Sequence, residues 1–397
     1  MRGCSVKRGL LQICRAWIPL GAGVGLLMLG LNGLAAAVAD PTEVALAPKE
    51  KVLKLAPGPD NPRNSEGSFV TLKSGRILFI FSRYTGDSAS DHASAFLASR
   101  YSDDGGKTWS QADVEVVPQE GRMNVMSVSL LRLNDGRIAL FYLRKNSEQD
   151  CIPMLRISGD EARTWSEPRP CITDQPGYYV LNNDRVVQLA SGRLLVPVAR
   201  HATPESPRLE QRAALFVYIS DDAGASWRRS QEVPNPEGII TQEPGVVPLS
   251  GGRIGMFIRT DSGFQYGSIS ADAGENWTPI QPTSLHSPLA PASIERIPGT
   301  DKLVAVWNNN HALNALYRGK RTPLTIAVSD DDGRTWTRTQ NIETADAWFC
   351  YTAIHWTEEH LLLGYCSGSL AQTDIVRIRL ADLTGASGGQ SPASSDR

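Results

Sequence analysis

Six segments of the chain repeat one arrangement of apolar and polar positions: FVTLKSGRILFIF, SLLRLNDGRIALFY, RVVQLASGRLLVPVA, VVPLSGGRIGMFI, ERIPGTDKLVAVW and TAIHWTEEHLLLGY. Each is a pair of short apolar runs joined by a tight polar turn, the signature of a β-hairpin. Runs such as AFLASRYS, LFVYIS and LTIAVS follow as third strands, and a fourth begins near a tryptophan. Four antiparallel strands repeated radially predict an all-β chain, a six-bladed β-propeller over residues 50–382. The last unit has only three strands after Trp348, and EKVLKLAP at 50–57 can supply its fourth and close the ring. No segment keeps a helical period. Residues 40–49 are expected to be a linker and 383–397 a disordered tail.

Each third strand runs into a second repeated pattern. It reads SDDGGKTW at 102–109, SGDEARTW at 158–165, SDDAGASW at 220–227, SADAGENW at 270–277 and SDDDGRTW at 329–336. In isolation the three aspartates Asp330, Asp331 and Asp332 resemble the start of a calcium loop. Recurrence at steps of 56, 62, 50 and 59 residues makes the pattern part of a supersecondary unit instead. The aspartate is expected to bond backbone amides of its own turn and the tryptophan to pack between sheets. No catalytic metal or cofactor is expected, since HExxH, paired CxxC, P-loop and dinucleotide fingerprints are missing from the sequence.

Charge and cysteine content narrow the setting. Of 397 residues, 40 are basic and 42 acidic, so no overall field recruits nucleic acid or a membrane surface. The first 39 residues place Arg2, Lys7, Arg8 and Arg15 before an uncharged run that ends in Ala-Val-Ala. This is the form of a signal peptide cleaved after Ala39, which predicts a secreted or periplasmic protein without stable membrane association; a retained anchor is the alternative. Cys151 with Cys171, and Cys350 with Cys366, have midpoints inside hairpin turns, so each pair is expected to face across one hairpin and form a disulfide; four buried free thiols are the alternative. A monomer is expected, since no interface patch can be read.

The same turns locate a mouth. Nine residues before the turn glycines Gly75, Gly136, Gly192 and Gly252 stand Glu66, Ser127, Asn183 and Glu243, and His360 taken as the turn position gives Tyr351. These positions start the innermost strands, so their side chains converge at one end of the central channel. Further polar candidates there are Asn124, Asp184, Arg185, Arg200, His201 and His311, a set suited to a polyhydroxylated ligand.

Repeated SxDxGxTW turns, or Asp boxes, on such a propeller resemble the sialidase (neuraminidase) superfamily. Glu243 lies 16 residues before Arg259, Arg321 opens the strand before the last box, and Tyr351 follows, which is the order of that family's glutamate, second and third arginines and nucleophile. The resemblance implies an exo-glycoside hydrolase that releases terminal sialic acid or a related acidic sugar from glycoconjugates. A carboxylate nucleophile would be repelled by the sugar's own carboxylate, so a tyrosine activated by a glutamate suits the attack. Arginines hold the substrate carboxylate bidentately. Asp91, with Asp87 and His92 as competitors, stands near the family's acid/base aspartate. The chain departs from the family at its first arginine, where PRNSEGS puts Ser65 and then Glu66; Arg63 and Arg83 are the substitutes at hand. Alternatives are a propeller glycosidase or polysaccharide lyase for a non-sialic sugar, and a non-catalytic carbohydrate-binding propeller.

Overall fold

The computed structural model describes residues 44–310, 320–369 and 371–384, all within one compact unit, Asp40–Arg397. The expected signal segment, residues 40–43 of the linker, His311 and the tail beyond 384 lie outside the described residues. The chain is all-β and propeller-like. Among the described residues, four separate four-stranded antiparallel sheets are present, not the six expected. The first comprises Asn64–Thr71, Ile77–Tyr84, Ala95–Ser102 and Val114–Val117; the next two run over Thr241–His286 and Ser293–Glu343. The fourth joins Cys350–Trp356, His360–Ser367 and Gln372–Arg379 to Glu50–Leu55, the early strand expected to close the ring. Strands between Asn124 and Arg229 form one nine-stranded sheet instead of two. The reason is local: Tyr178–Val180 pairs antiparallel with Leu194–Ala202 and also meets Cys151 of the preceding hairpin in a parallel bridge. At the C-terminal end Leu380–Thr384 form a short helix with Leu383 buried, so packed chain continues past 382.

The Asp boxes are turn devices. In the last one Asp331 Oδ1 accepts from the Thr335 amide at 2.9 Å, Oδ2 accepts from the Thr335 hydroxyl at 2.7 Å, and the Ser329 hydroxyl accepts from the Gly333 amide at 2.8 Å. The same bonds recur at Asp104, Asp160 and Asp222, and at Asp272 with the side-chain amide of Asn276 in place of the hydroxyl. The turn needs a left-handed residue at its Gly position, and Ala162, standing there in the second copy, adopts φ 61°. Trp109 and Trp277 are buried and donate their indole N–H groups to Gly106 and Gly274.

Four inner strands carry the same irregularity at their mouth ends. Between Ser65 and Ser68, Met126 and Ser129, Gln242 and Gly245, and Cys350 and Ala353, two residues oppose one, a β-bulge. The first bulged residue is Glu66, Ser127, Glu243 or Tyr351, each at positive φ (55°, 58°, 43° and 57°). Left-handed backbone at a non-glycine residue is costly and clusters where a side chain must be aimed. In two strands the bulge is tightly packed: a Cβ on Gly67 would stand 2.2 Å from Phe79 Cζ, and one on Gly245 2.1 Å from Phe257 Cζ. Asp184 ties the inner strands together. Its carboxylate accepts from Ser68 Oγ at 2.6 Å and the Ile354 amide at 2.8 Å, and its own amide donates to Val128.

The two expected disulfides are not formed: Cys151, Cys171, Cys350 and Cys366 are buried free thiols. Cys350 and Cys366 do face each other across their hairpin, but Cys350 Sγ takes a contact from Arg321 Nη1 at 3.0 Å. The other pair is out of register. Pro170 pairs with Met154 and the Cys171 amide donates to Pro153, which leaves Cys151 two residues away along the strand.

Candidate active site

The bulges bring two groups of side chains to one mouth. On one wall Tyr351 Oη donates to Glu243 Oε1 at 3.4 Å, and Arg259 Nη1 donates to Glu243 Oε2 at 2.7 Å. Glu243 and Arg259 side chains are 13% and 11% exposed, enough for a ligand to reach and little enough for strong electrostatics. Arg321 lies between two rings, its Cζ 5.2 Å from the centroids of both Tyr351 and Trp348. Burial works to raise the Glu243 carboxyl, but the guanidiniums of Arg259 and Arg321 outweigh it and hold the group below its usual value. Burial, and next the Glu243 charge, push the Tyr351 phenol up against the opposing arginines. Glu243 is therefore ionised beside a neutral phenol, which is what an activating base and its nucleophile require.

A second wall distributes charge differently. Arg63, buried, donates from Nη2 to Glu66 Oε1 at 2.7 Å, from Nε to Ser65 Oγ at 3.0 Å and from Nη1 to Asp91. Glu66 Oε2 also accepts from the Ser127 hydroxyl. Burial raises Glu66, with Arg63 opposing. The Asp91 side chain is 61% exposed, and what burial it has is outweighed: the charge and hydrogen bond of Arg63, then Lys145 and His92, hold it below its usual value. One arginine serves two carboxyl groups here.

Some expected residues stand elsewhere. Arg83 is not in the cluster; its Nε donates to Asp113 at 3.0 Å and its guanidinium covers Phe96. Asn183 is fully buried and donates to the main-chain carbonyls of Gly67 and Tyr351, so it ties strands together; the left-handed residue of that segment is Asp184. Turn counting is off by one there because Tyr178–Val180 and Val187–Gln188 replace a continuous inner strand. Arg185 is buried below the mouth against Ala292 and Ser293. Asp87 is exposed on the loop.

Three residues at this mouth were missed. Trp348, 40% exposed, covers Arg321, and the buried Tyr178 meets His201 edge-on at 6.4 Å. Lys145, 2% exposed, donates to the Asp91 carbonyl at 2.7 Å. Counting forward nine residues from Gly136, as was done backward for the inner strands, would have reached Lys145.

Comparison with known proteins bears on this arrangement. Residues 88–365, more than half of the chain, match the BNR repeat-like domain. The chain belongs to that family. This BNR repeat-like domain is 26% identical over 250 residues to a sialidase of Paraclostridium sordellii, across 56% of this chain and 58% of that protein. It thus spans less than two thirds of that relative's length. Its fold is shared with Hadza microbial sialidase Hz136, at a TM-score of 0.68 and 19% identity over 82% of this chain and 67% of the other. A protein of unknown function from Dyadobacter fermentans is similar over 83% of this chain and 99% of its own, at a TM-score of 0.64 and 18% identity.

Proposed function

We propose that the protein is an exo-glycosidase of sialidase type that releases a terminal acidic sugar, sialic acid or a relative, from glycoconjugates. The observation that carries this reading is the Tyr351–Glu243 contact at 3.4 Å with two arginines around it. Tyr351 attacks the anomeric carbon and passes its proton to Glu243. Arg259 and Arg321 receive the sugar's carboxylate, and Asp91 protonates the leaving oxygen and later deprotonates water. Arg63 completes this wall only by releasing Glu66 or Asp91. The similar sialidase sequence supports the substrate class. We further read the nine-stranded sheet as two blades fused at one rim, which makes six, and residues 1–39 as an export signal.

A second reading rests on Glu66. With Arg63 shared by two carboxyl groups, the clamp holds a single anionic group, and a sugar such as a uronic acid fits it as well. The deciding experiment is release of aryl alcohol from an aryl α-sialoside by the purified chain. Turnover that disappears in Tyr351→Phe supports the first reading. Turnover retained by Tyr351→Phe rejects the tyrosyl mechanism, and turnover only of an aryl uronide selects the second substrate.

A further inference from the structure

The loop that carries Asp91 is exposed from Gly86 to Asp91, yet it is fastened at one point. The Asp91 carbonyl accepts from Lys145 Nζ at 2.7 Å and from Asn124 Nδ2 at 2.9 Å, and the same amide donates to the Ala93 carbonyl at 2.8 Å. Asn124 and Lys145 are direct partners across two neighbouring strands. Lys145 is 2% exposed, and its ammonium lies 5.5 Å from the centroid of the Tyr178 ring. A buried ammonium is costly unless its charge is used, and a neutral amide would tie a carbonyl equally well.

We propose that Lys145 is a positioning residue for Asp91, fixing its main chain together with Asn124 and setting its cationic charge beside the carboxylate, which is thereby held at the mouth next to Arg63. The inference rests on the assignment of Asp91 as acid and base. Several titratable groups face Asp91. Arg63 and Glu66 come from the first inner strand and its approach, Tyr84 from the next strand, Lys145 and Tyr178 from the nine-stranded sheet, and His92 from the loop itself. Among them Lys145 is one of the cations that oppose the effect of burial. Removing its charge therefore raises the pH at which Asp91 titrates.

The test uses the full chain with its aspartate carboxyl carbons labelled for NMR, Asp91→Asn serving to assign the resonance. In Lys145→Met and Lys145→Gln the Asp91 midpoint is expected to rise by up to roughly one pH unit. The corresponding limb of the kcat/KM profile on the aryl glycoside moves the same way. Lys145→Met loses about tenfold in kcat with little change in KM, and Lys145→Gln, which keeps a donor for the carbonyl, recovers most of it. An unchanged Asp91 midpoint in folded Lys145→Gln overturns the proposal, as does a pH profile that superimposes on that of the parent. If the parent turns over no glycoside, the hydrolase reading fails, and the titration alone still decides the role of Lys145.

Discussion

The two walls of the mouth are built by the same backbone device and arrive at opposite charge arithmetic. On the Tyr351 wall two guanidiniums surround one carboxylate, Glu243; on the Asp91 wall one guanidinium, Arg63, serves two carboxyl groups. The first wall has cationic capacity to spare, and its glutamate stays ionised despite burial. The second has none, and its two carboxyl groups separate, Asp91 shifted down and Glu66 up. One cation shared by two neighbouring carboxyls does not offset burial for both, which leaves a charged and a more easily protonated member. Under the proposed reading, anion binding and nucleophilic attack fall to one side of the mouth and proton handling to the other.

The largest effect should come from breaking the first wall. Tyr351→Phe is expected to lower kcat by roughly three orders of magnitude or more, and Glu243→Gln by roughly two to three. Because the pair acts as a unit, the double variant should be scarcely worse than Tyr351→Phe alone. Additive losses in steady-state kinetics would mean that the tyrosine and glutamate work on different steps.

Replacing arginines sharpens the contrast. Arg321→Ala and Arg259→Ala each remove a proposed charge-assisted partner of a sugar carboxylate, worth about 1.5–3 kcal/mol, so KM should rise roughly ten- to hundredfold. Arg63→Lys, by contrast, should act mainly on kcat and on the pH profile, since its present partners are Glu66 and Asp91, the latter the proposed acid and base. A KM rise in Arg63→Lys equal to that in Arg321→Ala would erase the division between the walls.

Glu66→Gln should have a smaller effect and of opposite sign. It frees one face of Arg63 and is expected to lower KM for an anionic sugar a few-fold. It also bears on stability. A carboxyl whose pKa is raised on folding contributes stability that is present below its unfolded value and lost as pH rises through its folded value. The parent therefore loses that contribution above about pH 4.5, whereas the neutral amide of the Glu66→Gln variant has none to lose. The difference in melting temperature should accordingly shift in favour of Glu66→Gln between acid and neutral pH, and a constant difference would show that Glu66 titrates normally.

How far the sequence disclosed this site follows from what kind of signal each part leaves. The hairpins and Asp boxes are local and repeated, so their strands, turn bonds and even the closing strand Glu50–Leu55 could be read from pattern. Counting from turns reached Glu66, Ser127, Glu243 and Tyr351 because four inner strands carry the bulge at one offset. It missed at Asn183, where the inner strand is broken, and the disulfide expectation failed where register slips by two residues or where an arginine occupies the sulfur. Tyr178 and Trp348 left no mark because each acts through a contact between distant segments, whereas Lys145 stands nine residues past a turn glycine, an offset open to the same counting. Nor can a hairpin pattern show which of Arg63 and Arg83 faces the channel, since Arg63 stands just before the inner strand, outside its alternation, and the Asp113 that engages Arg83 is thirty residues on.

The smallest expected effect lies away from both walls, in the boxes that hold them. Hydrogen bonds from the amide and hydroxyl of Thr335, with that of Ser329, bring Asp331 down to about 2, and the aspartates of the other boxes are lowered similarly. A carboxyl whose pKa is depressed on folding contributes stability above its unfolded value, lost as pH falls through the folded one. The window is therefore from about pH 4 down to about pH 2. These turns are solvent-exposed, so each contribution is small and screened. Asp331→Asn should lower the melting temperature at pH 7 by no more than roughly a few degrees, leave KM unchanged, and narrow the gap to the parent as pH falls towards 2. Calorimetry across that range checks it: a gap that stays constant would mean that Asp331 holds its turn through shape and not through charge. A change in KM would mean that the boxes reach the mouth, which would undo the separation of scaffold from chemistry on which the comparison of the two walls depends.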